Sequence, residues 1–396
     1  MMTFAASTVA AWSGSTGAEQ NTALSFSPPR LVADPHNATG PWWTGVHRLS
    51  DMHMLGQAGA RMLATADGGQ SWFTQEDAAG KSWLNDTDAF GGIFSADGTR
   101  FHNAGDENKY SWISPTGSNR NVTAVRANST DTFSLSADGT RFVRSHSRPF
   151  SIEGLPHVSG FRVGSAASTV WLKDGSMLAT SVTTGVGSAA RRGYLSVIAL
   201  RSVDAGFSWY YIGVVAAADE VPYAHEGPSE NALAFLNNGS LLCVMRVEGE
   251  SGHHSPYVSK TSDDGGYTWR NLRSLAKTWP GEQDGAGCVR PRLARLNGSL
   301  VLAGGRPNPI SRDELVWLNA AGDGELWRPY SLSYWHNRLI TNQSWAMPER
   351  DVNDSRRLPR YDTSYTSLVP TGPVSAFVLY GAGLYAFAIH FALAPE

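Results

Sequence analysis

Three octapeptides in this chain share one pattern, Ser/Thr-x-Asp-x-Gly-x-Ser/Thr-Trp: Thr65–Trp72, Ser202–Trp209 and Ser262–Trp269. Shortened copies run Ser95–Phe101 and Ser136–Phe142, and a decayed copy ends at Gly324 and Trp327. Such a repeat constrains the fold more than any single motif, because repeated supersecondary units bury their apolar faces only by stacking on one another. The octapeptide has the chemistry of a hairpin turn. Its Asp carboxylate can accept from N–H groups inside the turn. Its Gly supplies positive φ without a Cβ penalty. Its Trp folds back and buries a ring between sheets. Asp67, Asp204 and Asp264 are therefore read as structural carboxylates that staple outer hairpins, not as catalytic ones.

The intervals from Asp204 to Asp264 and from Asp264 to Gly322 are nearly equal and of the length of one propeller blade. Each holds strand, Gly turn and strand: Asn231 to Arg246 turns at Asn238-Gly239, and Pro291 to Gly304 turns at Asn297-Gly298. Ser168 to Thr180 repeats the arrangement. The expectation is an all-β chain, a β-propeller with octapeptide hairpins. Residues 25–396 would form one domain, and residues 1–24 an N-terminal segment that is unstructured or a weak signal. The composition agrees: among 396 residues there are 41 Gly and 14 Trp, and only 17% are charged. That is too aromatic and too poor in charge for a disordered chain.

The net charge is −3, with no run of Lys or Arg, so nucleic acid is excluded as an expected partner. An anionic ligand must be met by a few placed arginines and not by the overall field. Two cysteines, Cys243 and Cys288, cannot make a disulfide framework, and Cys243 sits in an apolar run as a buried thiol. The apolar stretch Val374 to Ala394 is long enough to raise a membrane span. Its internal Gly381-Ala382-Gly383 argues instead for two strands and a turn. No basic residue precedes Arg30, which makes a weak signal peptide. Eight Asn-x-Ser/Thr sequons begin at Asn37, Asn85, Asn121, Asn128, Asn238, Asn297, Asn342 and Asn353. They favour a secreted, cell-surface or lumenal glycoprotein. His253-His254 has no third ligand at metal spacing and is read as a surface loop.

With these features the chain resembles the sialidase (neuraminidase) superfamily, whose six-bladed β-propellers carry such octapeptides as Asp boxes (BNR repeats), and the resemblance implies six blades here. The resemblance is clearest from about Arg162 to Phe391. It implies an exo-α-sialidase, a glycosidase that removes terminal sialic acid from glycoproteins and glycolipids without a cofactor or metal. The family clamps the sugar carboxylate with three arginines, whose planar, permanently charged donors suit that group. It attacks with a Tyr deprotonated by a Glu, and uses an Asp as acid/base.

Glu230, a strand, the Asn238-Gly239 turn, a second strand and Arg246 match the family pattern for the Tyr-activating Glu and one clamp arginine, with Glu226 as a weaker rival to Glu230. Arg312 resembles the next arginine, with Arg306 as its rival. Tyr365, in Asp362-Thr-Ser-Tyr365-Thr-Ser-Leu, resembles the nucleophile, with Tyr361 nearby. Arg30 is taken as the first arginine, with Arg162 as the alternative. Asp51 is taken as the acid/base, with Asp34 as the alternative. The carboxylate that supports an arginine in the family is missing after Tyr380. The rival expectations are a non-catalytic glycan-binding propeller and a protein-interaction propeller.

Overall fold

The computed structural model describes residues 22–33, 43–48, 54–58, 61–74, 100–103, 110–115, 121–125, 129–135, 142–149, 151–154, 160–162, 168–184, 194–204, 208–249, 255–276, 279–280, 285–306, 313–347, 366–382 and 385–394. These residues form six sheets. Two are four-stranded antiparallel meanders in chain order: Pro228–Phe235, Leu241–Val247, Val258–Ser262 and Arg270–Ser274, then Gly287–Leu296, Ser299–Arg306, Asp313–Asn319 and Arg328–Ser331. A third four-stranded sheet runs from Trp43–Arg48 to Phe73–Thr74. Two larger sheets lie between Arg100 and Ala216. The last sheet joins the chain's two ends: Ser367–Pro370, Ser375–Ala382 and Tyr385–Leu393 are completed by Leu24–Phe26 and Arg30–Ala33, both paired on Tyr385–Leu393.

Successive sheets pack face to face, and the strand period shows why. Along Leu241–Val247, Leu241, Cys243 and Met245 turn into the core shared with Leu178, Val182 and Val197 of the preceding sheet. The alternating Leu242 and Val244 turn into the core shared with Leu300, Leu302 and Trp317 of the following one. Such a strand is apolar on both faces, which is why it reads as a continuous apolar run. The same holds at the C-terminus. Ala376, Val378 and Tyr380 face Leu296, Val301 and Val316, while Phe377 and Leu379 face Met54 of the Trp43–Phe73 sheet. The apolar run from Val374 to Ala394 is thus two antiparallel strands, Ser375–Ala382 and Tyr385–Leu393. Among the described residues no helix is long and apolar enough to cross a membrane.

The octapeptides join the last two strands, in chain order, of their sheets. In Thr65–Trp72 the Asp67 carboxylate accepts from the backbone N–H groups of Gln70 (2.8 Å) and Ser71 (2.9 Å) and from the Ser71 hydroxyl (2.5 Å). Asp264 accepts likewise from Thr268 N–H (2.9 Å) and Oγ1 (2.6 Å), and Asp204 from Ser208 N–H (2.9 Å) and Oγ (2.6 Å). Gly266 has φ +96°, which lets its carbonyl accept from Trp269 Nε1 at 2.9 Å. In the decayed copy Asn319 Oδ1 replaces the leading Ser/Thr hydroxyl and accepts from Gly324 N–H at 2.9 Å, as Ser262 Oγ does from Gly266 N–H. Burial raises the Asp67 pKa, but the hydrogen bonds from Ser71, Thr65 and Gln70 outweigh it and hold the group at about 2. The shortened copies beginning at Ser95 and Ser136 fall largely outside the described residues.

The first strands of the sheets lie side by side. Ser168–Trp171 borders Pro228–Phe235, which borders Gly287–Leu296, which borders Ser367–Pro370, which borders Trp43–Arg48. Arg100–Asn103 touches both Trp43–Arg48 and Ser168–Trp171. The starts of these strands carry the charged residues described next.

Candidate functional site

Glu230 lies near the start of its sheet's first strand, and Arg246 near the end of the second. Antiparallel pairing therefore brings them together: Pro228 pairs with Val247 and Asn231 with Met245. Three steps on one strand face two on the other, a β-bulge, and bulges re-aim side chains. Arg246 Nη1 donates to Glu230 Oε2 at 2.8 Å. Arg246 Nη2 is also paired with the Glu248 carboxylate.

The neighbouring sheet adds a third charge. Arg290 Nη2 approaches Glu230 Oε1 at 3.3 Å. Glu230 and Arg246 are each 8% exposed and Arg290 only 3%. Charges this buried are tolerated only when paired, because the desolvation cost per ion is several kcal/mol. With Glu248 the cluster holds two guanidiniums against two carboxylates.

Arg290 is placed by a larger bulge. Gly287 pairs with Gly305 and Arg292 with Ala303, so five steps face two. Val289 has φ +51°, a conformation a β-branched residue adopts only under constraint. The constraint is visible: buried Tyr257 donates its hydroxyl to the Val289 carbonyl at 3.0 Å. Gly304 makes room for that hydroxyl, since a Cβ there would stand 2.1 Å from it. Gly304, Tyr257 and Val289 thus form a chain of contacts that aims Arg290 at Glu230.

Two residues past Arg290, Arg292 Nε donates to the carbonyl of Thr366 at 3.3 Å. Thr366 immediately follows Tyr365 and directly precedes the strand Ser367–Pro370 of the next sheet. The segment after Tyr365 is therefore tied to the strand that carries Arg290. The hydroxyls of Ser229, Thr366 and Ser367 are buried without a hydrogen-bond partner among the described residues. Two of them flank the positions of Glu230 and Tyr365 in the chain.

Of the residues expected from the sequence, the structure brings Glu230 and Arg246 together. It does not bring Arg30 to them. Arg30 is exposed on a strand paired to Tyr385–Leu393, with two strands between it and Ser367–Pro370, and its Nη1 donates to Gln70 Oε1 at 3.3 Å. An arginine on that outer position meets the Thr65–Trp72 turn and not the first strands. Arg162 ends the strand Gly160–Arg162 and Arg306 ends Ser299–Arg306. Arg312, Tyr365, Tyr361, Asp51, Asp34 and His253-His254 lie outside the described residues. Glu226 lies on the loop before Glu230, and its carbonyl accepts from Leu195 N–H at 2.6 Å. Tyr380, after which Gly381 stands where the family has a supporting carboxylate, is buried with its hydroxyl 2.7 Å from His336 Nδ1. The carboxylate paired with Arg246 besides Glu230 is Glu248.

Arg290 and Glu248 were not singled out from the sequence. A signal for Arg290 existed: counted back from the Asn297-Gly298 turn, it occupies nearly the place that Glu230 holds before Asn238-Gly239. Among the described residues no group of three or more His, Cys, Asp or Glu could hold a metal ion.

No protein-family model and no curated protein matches this sequence. Solved structures do. A protein of unknown function from Dyadobacter fermentans is similar with a TM-score of 0.56 at 12% identity, over 94% of this chain and 99% of that one. An α-L-arabinofuranosidase of Fusarium graminearum, in complex with an iminosugar inhibitor, is similar with a TM-score of 0.52 at 13% identity, over 93% of this chain and 98% of that one. A Hadza microbial sialidase is similar with a TM-score of 0.50 at 12% identity; the match covers 92% of this chain but 65% of the sialidase. At such identities the likeness is one of fold: this all-β chain shares its architecture with glycoside hydrolases that include a sialidase and an α-L-arabinofuranosidase.

Proposed function

We propose that the chain is a retaining glycoside hydrolase of the sialidase type, built as one six-bladed propeller over residues 25–396. Six sheets with first strands side by side, and a last sheet made from both chain ends, support the propeller reading. The observation that carries the activity is the buried Glu230 held by Arg246 and Arg290 from adjacent sheets. A carboxylate fixed this way, with the Arg290 strand between it and the segment that follows Tyr365, suits a base for the Tyr365 phenol. Tyr365 attacks the anomeric carbon and Glu230 takes its proton. Asp51 protonates the departing oxygen, then deprotonates the water that releases the sugar, so configuration is retained. Arg246, Arg290 and Arg312 hold the sugar carboxylate. Arg290 stands here in place of Arg30. Sialylated glycans are the substrates, and exposed sequons at Asn238, Asn297 and Asn342 suit a protein of the secretory route.

A second reading rests on the charge balance. Glu230 and Glu248 offset Arg246 and Arg290, which favours a neutral terminal sugar such as the arabinofuranose processed by the Fusarium neighbour. Fluorogenic α-sialoside and α-L-arabinofuranoside, each incubated with wild type and Tyr365→Phe, separate the two. Release from the sialoside, lost in Tyr365→Phe, supports the first reading. Release only from the arabinofuranoside supports the second, and release from neither sinks both.

A further inference from the structure

The loop from Ala217 to Gly227 is anchored along its whole length. Glu220 accepts from Ala217 N–H at 2.9 Å with one oxygen and from Lys260 Nζ at 2.6 Å with the other. Ala218 N–H donates to Ser196 Oγ at 3.1 Å. Val221 and Ala224 are buried. His225 N–H donates to the Glu248 carbonyl at 2.7 Å, and the Glu226 carbonyl accepts from Leu195 at 2.6 Å. Gly227 has φ +89°, and a Cβ there would stand 2.2 Å from the Leu195 carbonyl, so the loop closes tightly onto the preceding sheet.

One large apolar side chain escapes this anchoring. Tyr223 lies between buried Val221 and Ala224 and is 50% exposed. Exposure of an aromatic on a mobile loop means little. Here the backbone on both sides is fixed, and two residues on, His225 is bonded to the residue that supports Arg246. The backbone that carries the ring is therefore held beside the strand end that bears Arg246 and Glu248. A fixed aromatic face is what the C–H face of a sugar ring packs against, at small cost in side-chain entropy.

We propose that Tyr223 is the stacking platform for the second sugar of the substrate, the one that leaves when the terminal sugar is cleaved. The proposal rests on the glycosidase reading of the Glu230 site and adds a specificity-determining residue to it. It also explains the loop's many anchors, because a platform works only if its position is fixed before the ligand arrives.

The test compares sialyllactose with methyl sialoside, whose leaving group is too small to reach the ring, in wild type, Tyr223→Ala and Tyr223→Phe. The same pair built on arabinofuranose is used if that is the sugar released. The preference for the disaccharide should fall roughly tenfold in Tyr223→Ala, through KM more than kcat, and be kept in Tyr223→Phe. An unchanged preference in Tyr223→Ala, or equal loss in Tyr223→Phe, overturns the proposal. If wild type cleaves neither substrate, the enzyme reading fails and sialyllactose binding by calorimetry decides. Binding weakened in Tyr223→Ala but kept in Tyr223→Phe upholds the platform; absent or unaltered binding overturns it.

Discussion

The guanidinium of Arg290 crosses between two sheets to reach the carboxylate of Glu230, 3.3 Å away, which Arg246 already holds from the other side at 2.8 Å. The cluster thereby ties adjacent sheets at their first strands, and it is fixed before any ligand binds. Removing one member leaves charge buried without its partner, which costs more than the pair contributes.

Arg290→Ala should therefore lower stability by about 3 kcal/mol. Arg290→Lys keeps the charge but not the planar donors, so it should recover most of the stability and little of the activity. Urea unfolding alongside steady-state kinetics reads both. A neutral effect of Arg290→Ala on stability would show that the buried pairing is not formed.

Tyr257→Phe removes the hydrogen bond that holds the Val289 carbonyl. The stability loss should be about 1 kcal/mol. Because Arg290 is aimed by that bulge, kcat should fall more steeply than stability does. A variant with wild-type kcat would separate Tyr257 from the site.

Asp264→Ala tests the turn chemistry. It strips acceptors from Thr268 N–H, Thr268 Oγ1 and Ser262 Oγ. Stability should fall by about 1–2 kcal/mol, with activity retained at permissive temperature. Loss of activity in a fully folded Asp264→Ala protein would mean that the carboxylate does more than staple a hairpin.

Acid should destabilise the protein through two histidines. Burial first, and the charge of Arg30 second, lower the His390 pKa from 6.5 to about 4. Burial also lowers that of His336, whose Nε2 faces the Trp345 carbonyl and whose Nδ1 faces the Tyr380 hydroxyl. Because a carbonyl only accepts, Nε2 carries the proton and Nδ1 accepts from Tyr380. As pH falls below 6.5 the unfolded chain takes protons that the folded chain refuses. Their contribution is whole above pH 6.5 and, for His390, is lost on the way down to about 4. Urea midpoints at neutral pH and at pH near 4.5 should diverge less in His390→Leu and in Arg30→Ala than in wild type. Equal divergence in all three would contradict this.

Local chemistry was readable in the sequence and the meeting of distant strands was not. The octapeptides carry their own hydrogen-bond partners within a few residues, so the roles of Asp67, Asp204 and Asp264 followed from spacing. The sequence Gly381-Ala382-Gly383 likewise divided an apparent membrane span into two strands. Glu230 and Arg246 share one hairpin, and counting from Asn238-Gly239 sufficed to pair them. Arg290 belongs to another sheet and is delivered by a bulge, which shifts its side chain out of the plain period of two. Arg30 failed for the opposite reason. Its place in the chain suggested a first strand, but the N-terminal strands pair onto the C-terminal sheet, and that long-range closure leaves Arg30 on an outer position.

Hydrolysis of a fluorogenic α-sialoside by wild type and Glu230→Gln, with melting of both proteins followed in the same buffer, tests the central claim most directly. Wild type should release the fluorophore. Glu230→Gln should melt at a lower temperature but remain folded in the assay, and lose about a hundredfold or more in kcat, the range for removing a general base. Equal rates in the two proteins, or a wild type that releases nothing from sialoside or arabinofuranoside, would contradict the account.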